Sequence, residues 1–371
     1  MTTAFDVCIR GGGAVGMSLA LALSRQGLSI AWQARPRAAA GPDVRTYALN
    51  AGAVELLEAL KVWAALPEDA RTPVHDMRIE GDTPGAVLRF SAYEQARQEL
   101  AWIVDAAELE AVLERAVGFA PHVERVSPDS PVQAALLAVC DGRDSATREA
   151  LGVRVDSRPY GHRAVAARLV SELPHTGLAR QWFRAPDVLA LLPFDRPEPG
   201  RSYGLVWSLP EARAQELLAL DDAGFEQALL EATAGAAGSL RLASPRAGWP
   251  LALLRCEPVC GPGWVLLGDA AHAVHPLAGQ GLNLGLADVQ SLAQVLAARE
   301  PWRALGDEKL LRRHARARWL PTRAMGELTD ALLHLFAHEA PLARALRNRG
   351  LAGLDRLSPL KRLLTDRALH S

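Results

Sequence analysis

The residues best placed for chemistry lie in one stretch, residues 264–288. Val265 to Leu267 predict a short buried strand that stops at a glycine and presents the carboxylate of Asp269 at its end. Gly279 and Gly281 then open a helix, so unpaired N–H groups and the positive end of the helix dipole face whatever lies in front of them. The stretch therefore predicts a site for negative charge.

A second glycine-rich stretch lies near the N-terminus. The alternation of Phe5 to Arg10 predicts a strand, and Met17 to Gln26 predict a helix. A second predicted strand, Ser29 to Ala34, completes a βαβ unit in which bare backbone lets a pyrophosphate sit at the helix N-terminus. The predicted cofactor-binding residues of this G-x-G-x-x-G turn are Gly11, Gly13, Ala14, Val15 and Gly16.

The second strand departs from the dinucleotide-binding pattern at its end. Such a strand usually ends in Asp or Glu, which holds the ribose hydroxyls, and Ala34 occupies that position here. Alternation turns Gln33 to the opposite face, while Arg35 is better placed to meet the pyrophosphate. Arg10 lies where a buried parallel strand is normally apolar. A carboxylate or phosphate partner would explain Arg10.

Asp269, His272 and His275 have the residue types of a metal site. They lie on a loop closed by Pro276, without the i, i+4 helical placement that a histidine-pair zinc site commonly uses. No metal is predicted, and the histidines are expected to form local hydrogen bonds. The sequence has neither a Gly-x-Ser-x-Gly elbow nor a Walker-type Gly-Lys-Ser/Thr, so acyl and phosphoryl transfer have no anchor.

These motifs resemble those of the aromatic-ring flavoprotein hydroxylases. The run from His275 to Leu286 is similar, more narrowly, to the ubiquinone-biosynthesis branch of that family. The resemblance implies that Asp269 binds the ribityl chain of FAD, that Pro276 lies beside the isoalloxazine ring, and that the backbone of residues 281–283 faces the pyrimidine end of the ring. The second flavin motif of the family is similar here to Gly268-Asp269-Ala-Ala-His272, Pro276, Gly279-Gln280-Gly281-Leu282-Asn283 and Asp288.

Two further stretches resemble motifs of the same family. The segment around Arg45 is similar to its arginine-containing segment, which implies that Arg45 meets the flavin pyrophosphate or the incoming nicotinamide nucleotide. Asp141-Gly142 follows a predicted buried strand and resembles the Asp-Gly motif, whose aspartate and following Ser145 and Arg148 serve both flavin and reduced nicotinamide nucleotide. Taken alone, Arg45 is typical of a solvated surface residue and Asp-Gly of an ordinary turn.

Composition narrows the class of protein. At 371 residues, with 49% hydrophobic and 22% charged residues, the chain is long enough for two domains or for one domain with another inserted. The net charge of −1 gives no electrostatic reason to expect a nucleic-acid partner. Four cysteines do not make a disulfide framework. Without a signal peptide or an apolar run of ~18 residues, the protein is expected to be cytoplasmic, at most peripheral to the inner membrane.

The predicted fold is α/β: a Rossmann-like FAD-binding domain with an inserted antiparallel-sheet substrate domain and a C-terminal helical region. Alternating segments predict the inserted sheet, whose apolar faces would roof a cavity for a greasy substrate. The predicted bounds are 1–72, 97–153 and 251–300 for the FAD-binding domain, 73–96 and 154–250 for the substrate domain, and 301–371 for the helical region.

The C-terminal region is predicted to be helical from Glu308 to Ala337, with Pro321 starting a new helix or kinking the old one. Apolar positions from Leu328 onward form a stripe. Such stripes predict core or helix-pair packing, and otherwise a contact with a partner or a membrane surface.

The function that the resemblance implies is an FAD-dependent monooxygenase that hydroxylates an aromatic ring, with NADPH or NADH as the transient electron donor. The narrower similarity implies a polyprenylated phenol or benzoquinol of ubiquinone biosynthesis as the substrate. No catalytic side chain is identified. Two alternatives stay open: a family member with weakened flavin binding, motivated by Ala34, that serves as a scaffold for other quinone-biosynthesis proteins, and the same chemistry on a soluble phenol.

Overall fold

The computed structural model describes residues 4–35, 43–81, 83, 85–274 and 280–337. His275, Pro276 and Gly279, and the predicted stripe beyond residue 337, lie outside the described residues.

The described chain alternates strands and helices. The strands are β1 (Ala4–Arg10), β2 (Ile30–Gln33), β3 (Thr46–Leu49), β4 (Arg71–Val74), β5 (Asp76–Glu80), β6 (Val87–Ser91), β7 (Ala101–Asp105), β8 (Val123–Arg125), β9 (Gln133–Val139), β10 (Arg154–Ser171), β11 (Leu178–Arg184), β12 (Asp187–Phe194), β13 (Ser202–Pro210), β14 (Leu240–Leu242), β15 (Ala247–Glu257), β16 (Cys260–Gly261), β17 (Trp264–Leu266) and β18 (His272–Ala273). The α-helices are α1 (Ala14–Ser24), α2 (Ala51–Ala59), α3 (Ala106–Gly118), α4 (Ala146–Ala150), α5 (Glu211–Ala219), α6 (Asp222–Thr233), α7 (Gly281–Ala297) and α8 (Glu308–Ala337).

The first sheet carries the glycine-rich loops. Its strands lie in the order β16-β17-β9-β1-β2-β8, and all neighbours are parallel except β16 and β17. Helices α1, α3 and α7 bury their apolar faces in the same core as this sheet. The carboxyl ends of β1, β9 and β17 therefore meet at one edge, which is where parallel sheets bind their ligands.

The second sheet has the strand order β18-β15-β10-β13-β12-β11-β5-β6, with β14 beside β10. Its strands are antiparallel except for β5 and β11. One face, with Trp182 and Trp207, packs on α5 and α6. The other face, with Phe183 and Val188, points the opposite way because side chains alternate along a strand. A small sheet, β3-β7-β4, packs beside this other face, against Phe194.

The structure differs from the sequence-based predictions at several elements. The alternation of Leu240 to Ala247 predicts one strand, but these residues form β14 and the start of β15. Pro245 breaks the pairing, and the Arg168 N–H donates to the Ser244 hydroxyl instead. The sequence predicts a strand from Ala164, but β10 begins at Arg154. The prediction missed this first half because it is solvent-exposed and shows no apolar alternation. Strand β15 continues past residue 250, the predicted end of the substrate domain. Helix α5 was not predicted, because its sequence has no clear apolar period.

Helix α8 runs through Pro321 as one helix, so of the two predicted alternatives a new helix starting at this proline is excluded. Proline cannot donate to the carbonyl of Ala317, one turn earlier, and Ala317 is exposed. A water molecule can donate a hydrogen bond to this carbonyl in place of the missing N–H. None of the described helices is long and apolar enough to cross a bilayer.

Candidate functional site

The first glycine loop is shaped by close backbone approaches. Gly11 has φ +135°, and a Cβ built on it would lie 2.1 Å from the Cys140 carbonyl oxygen. A Cβ on Gly16 would lie 2.4 Å from the Gly11 carbonyl oxygen. Only glycine fits at either position, so α1 begins directly against the ends of β1 and β9. Around Gly13 no atom of the described residues lies within 4 Å of an added Cβ, so among them this side of the loop is open to a phosphate group.

The second element of the site is a turn at the end of β17. Residues Gly268–Ala270 form one 3₁₀ turn, and Gly268 has φ +57°, which places Asp269 outside the sheet. The Asp269 side chain is exposed, yet burial by surrounding protein raises the pKa of its carboxyl group, against the positive charges of His272, Arg143 and Arg45. A side chain can be exposed to solvent and still be surrounded by protein atoms if it lines a recess, so we infer that Asp269 lines a recess.

Val15 joins the glycine loop to the turn and to α7. A Cβ on Gly268 would lie 3.2 Å from Val15 Cγ2, and a Cβ on Gly285 only 2.6 Å from the same atom. The Val15 side chain is therefore used in packing, and its predicted cofactor contact must come from its backbone N–H, as for Ala14 in the same first turn. Three segments that are distant in sequence converge here.

The N-terminus of α7 is held by Asn283. Its side-chain oxygen accepts from the Asn50 N–H at 3.1 Å, and its nitrogen donates to the Ala48 carbonyl at 2.9 Å. Leu282 packs on the core, while an added Cβ on Gly281 would meet no atom within 4 Å in the part of the chain that the structure describes. The Asn283 side chain thus orients the helix start, and the first-turn N–H groups of residues 281–283 have no acceptor within the helix.

Asp141 follows β9 at the same edge. Its Oδ2 accepts from the Thr147 N–H at 3.3 Å, while its buried Oδ1 has no partner among the described residues. Ser145 caps α4 through the Arg148 N–H, and the Arg148 guanidinium donates to the carbonyls of Arg143 and Ala270. Ser145 and Arg148 therefore hold the Asp141 loop against the Asp269 turn, and Asp141 keeps an acceptor for a donor group of the cofactor.

Arg45 has acidic partners in the structure. Its guanidinium donates to both oxygens of Asp43 at 2.9 and 2.8 Å and lies 3.4 Å from Glu110 Oε1. The hydrogen bond to Asp43 raises the pKa of Arg45 further above its usual range. A phosphate bound by Arg45 would compete with Asp43, so the predicted role of Arg45 stays a prediction.

Ala34 lies beside the glycine loop, because a Cβ on Gly12 would be 2.9 Å from the Ala34 Cβ. Gln33 faces away: its Nε2 donates to the carbonyls of Ser127 and Ser130, and its Oε1 accepts from Arg10 Nε at 3.1 Å. Arg10 thus has an amide partner rather than the carboxylate or phosphate expected from sequence. Arg35 is exposed beyond the strand end.

His272 forms a hydrogen bond, as predicted, but its partner lies on α7 and not in the same loop. Its Nε2 lies 2.7 Å from Asp288 Oδ2, a residue that sequence reasoning placed in the motif without assigning it a role. Within the described ranges, no group of three or more His, Cys, Asp or Glu side chains is arranged to hold a metal ion.

These features fit FAD. The glycine loop leaves room for a pyrophosphate, Asp269 and Asp141 Oδ1 offer acceptors to hydroxyl or N–H donors, and the start of α7 offers N–H groups to a ring that gains negative charge. All three lie at the same edge of the first sheet. Pro276 and Gly279, the remaining predicted contacts, lie outside the described residues.

Comparison with known proteins agrees with this geometry. Residues 86–325 match the FAD binding domain family. The chain is 31% identical to ubiquinone hydroxylase UbiL of Rhodospirillum rubrum, over 98% of this chain and 89% of that one. It is 29% identical to the 3-demethoxyubiquinol 3-hydroxylase of Escherichia coli, over 98% of both chains.

Solved structures show the same fold. The FAD-dependent monooxygenase PqsL of Pseudomonas aeruginosa superposes with a TM-score of 0.76 at 23% identity, over 94% of this chain and 99% of that one. The p-nitrophenol 4-monooxygenase PnpA of Pseudomonas putida superposes with a TM-score of 0.78 at 17% identity, over 100% and 99%. The chain therefore belongs to the FAD-binding-domain family of flavoprotein aromatic hydroxylases, in the branch that contains the ubiquinone-biosynthesis hydroxylases.

Proposed function

We propose that this FAD-dependent monooxygenase hydroxylates the ring of a polyprenylated phenol or benzoquinol in ubiquinone biosynthesis, with NADPH or NADH as the electron donor. The observation that carries the proposal is the convergence of the Gly11, Asp141 and Asp269 loops at one sheet edge in a chain whose relatives are named ubiquinone hydroxylases.

The protein contributes binding and orientation. We assign the pyrophosphate to the open side of the loop at Gly13, with Gly11, Ala14, Val15 and Gly16 forming the helix start. Arg35 and Arg45 are assigned to the phosphates or to the visiting nicotinamide nucleotide. When bound, FAD supplies the electron transfer and the oxygen activation that no side chain can supply.

The chain also sets the electrostatics around the flavin ring. We assign the ribityl hydroxyls to Asp269, and a hydroxyl or N–H donor to Asp141 Oδ1. The N-terminus of α7 would face the flavin ring, and its partial positive charge would stabilise negative charge on the reduced ring. Asn283 fixes the direction of that helix. From the sequence, Pro276 and Gly279, which lie outside the described residues, are also assigned to the cofactor.

The second sheet supports the proposal of an apolar substrate. The face turned away from α5 and α6 carries a buried apolar cluster that includes Leu88, Phe183 and Val188, with Phe90 packed beside it. A dry wall of this kind suits a ring with an apolar tail and keeps water from the reacting atoms.

Deleting the gene should make an under-hydroxylated quinone precursor accumulate, because one ring position is then left unmodified. Quinone extracts of the deletion strain, separated by mass, measure this. A catalytically normal, yellow protein with an unaltered quinone profile, in a genome without a redundant hydroxylase, would favour a soluble phenol as substrate. A colourless protein that still co-purifies with other quinone-biosynthesis enzymes would favour the scaffold alternative.

We further propose that the protein works in the cytoplasm at a membrane surface, through the exposed face of α8. On this face the side chains of Trp319 and Leu320 are 56% and 64% exposed, and Arg316 and Arg323 flank them. The Arg323 guanidinium lies 5.3 Å from the centre of the Trp319 ring. Arginines beside exposed Trp and Leu are typical of helices that lie on anionic membranes, where a polyprenylated substrate is held.

Replacing both Trp319 and Leu320 with serine should weaken binding to vesicles containing phosphatidylglycerol by about tenfold, because the apolar anchors are lost. Co-sedimentation with such vesicles measures the change. Trp302→Ser is the matched control, because Trp302 is 76% exposed but lies outside α8. Equal losses in both variants, or no loss in the double variant, would exclude this face as the membrane contact.

A further inference from the structure

The buried carboxylate of Asp288, on α7, joins three segments of the flavin domain. Its Oδ2 accepts from the backbone N–H of Gly268 at 3.0 Å and lies 2.7 Å from His272 Nε2. Its Oδ1 accepts from Arg318 Nε, on α8, at 2.8 Å. Asp288 is 2% exposed, so these contacts replace water almost completely.

The charges around Asp288 are balanced by His272 and Arg318. Burial opposes ionisation of Asp288, but the two cations outweigh it and hold the pKa of this carboxyl below its usual range. Burial likewise opposes protonation of His272, but Asp288 outweighs it and raises the pKa of the imidazole. His314, the other titratable group facing this site from α8, has its pKa lowered to about 4 by burial and stays neutral near pH 7.

Arg318 is the permanent member of this balance. Its side chain is 13% exposed, and its second nitrogen donates to the Leu284 carbonyl at 3.4 Å, so the guanidinium also contacts the backbone of α7. Arginine keeps its charge at every pH at which the protein is folded. A buried carboxylate that loses such a partner is strongly destabilised.

Loss of the Arg318 charge would affect the Gly268–Asp269 turn. The Gly268 N–H is fixed by the same carboxylate, and the left-handed conformation of Gly268 sets the direction in which the next residue, Asp269, leaves the sheet. Among the described residues, the hydrogen bonds of Arg318 go to Asp288 and Leu284, and to neither Gly268 nor Asp269.

We propose that Arg318 is a positioning residue for the flavin, which acts through Asp288 to hold the Gly268–Asp269 turn, so that docking of α8 completes the flavin site. Helix α8 then does more than pack against α7. It supplies the charge without which the turn under the cofactor loosens.

The test compares Arg318→Gln, Arg318→Lys and Arg312→Gln, the last being an exposed arginine on the same helix that pairs with Glu308. FAD is titrated into the apoprotein at pH 7, and visible circular dichroism reports the setting of the bound ring. Arg318→Gln should weaken FAD binding about tenfold or more and change the dichroism. Arg318→Lys should restore part of the affinity because it keeps the cation, and Arg312→Gln should bind FAD as the wild type does.

The pH profile separates positioning from a general loss of stability. In Arg318→Gln, only protonated His272 still balances Asp288, so FAD affinity should fall as the pH rises through the raised pKa of His272, more steeply than in the wild type. Adding Asp288→Asn to Arg318→Gln should cost little further affinity, because both act on one carboxylate. Wild-type affinity in Arg318→Gln, or an unchanged pH profile at reduced affinity, would overturn the proposal even if Asp288→Asn fails to fold.

Discussion

Replacing Asp269 with alanine should leave a folded protein that no longer retains flavin. The side chain lines a recess and packs nothing essential, since it is exposed, so its removal costs the fold little. It removes a charged acceptor for the ribityl hydroxyls, and a charge-assisted hydrogen bond contributes about 1.5 to 3 kcal/mol. With more than one hydroxyl in reach, the loss of affinity should be about a hundredfold. The flavin absorbance of the purified variant, and its FAD titration, measure this.

The pH dependence of FAD binding gives a second signature of Asp269. Burial raises the pKa of its carboxyl, so in the wild type the charged acceptor is lost, and FAD affinity falls, as the pH decreases through that raised value. The alanine variant should lack this acid-side loss. Asp144→Ala is the matched control, because this side chain near the site is 90% exposed. Full flavin occupancy with normal melting in Asp269→Ala would remove Asp269 from the site.

The glycine loops could be predicted because their residue types are dictated by local backbone geometry. Gly11 and Gly16 have no space for a side chain, and the strand and helix on either side have their own periodicity. Helix α3 was predictable for the same reason, since Asp105 caps it through the N–H groups of Ala107 and Glu108. Such features depend on neighbours in sequence.

The contacts that could not be predicted connect residues far apart in sequence. Arg10 pairs with Gln33 across β1 and β2, and Arg45 pairs with Glu110 on α3. Asp288 carried a signal, since it belongs to the motif, but Arg318 lies 30 residues away on another helix. A charged residue in sequence does not reveal which charge it meets, because only tertiary packing brings the two together. Ala34 belongs to both groups: its departure from the motif is visible in the sequence, but its position beside Gly12 is visible only in the structure.

Replacing Ala34 with glutamate should tighten FAD binding by about tenfold to a hundredfold, the equivalent of one charge-assisted hydrogen bond to the ribose. The structure places Ala34 against Gly12, which is where a carboxylate could reach the ribose beside the glycine loop. Gln33 cannot substitute, because its amide is committed to Arg10, Ser127 and Ser130 on the opposite side. The wild type is therefore expected to bind flavin but to lose part of it during purification.

Calorimetric titration of FAD into apoprotein compares the wild type with Ala34→Glu and with Ala34→Gln, which has nearly the same size but no charge. The glutamate should gain the most, because an ionised acceptor forms the stronger hydrogen bond, and the glutamine should gain little. The product of the reaction should be the same in all three, since residue 34 lies at the phosphate end of the site and not at the ring. Equal or weaker affinity in Ala34→Glu would mean that the ribose is held by another residue, and that β2 ends without a carboxylate because none is needed there.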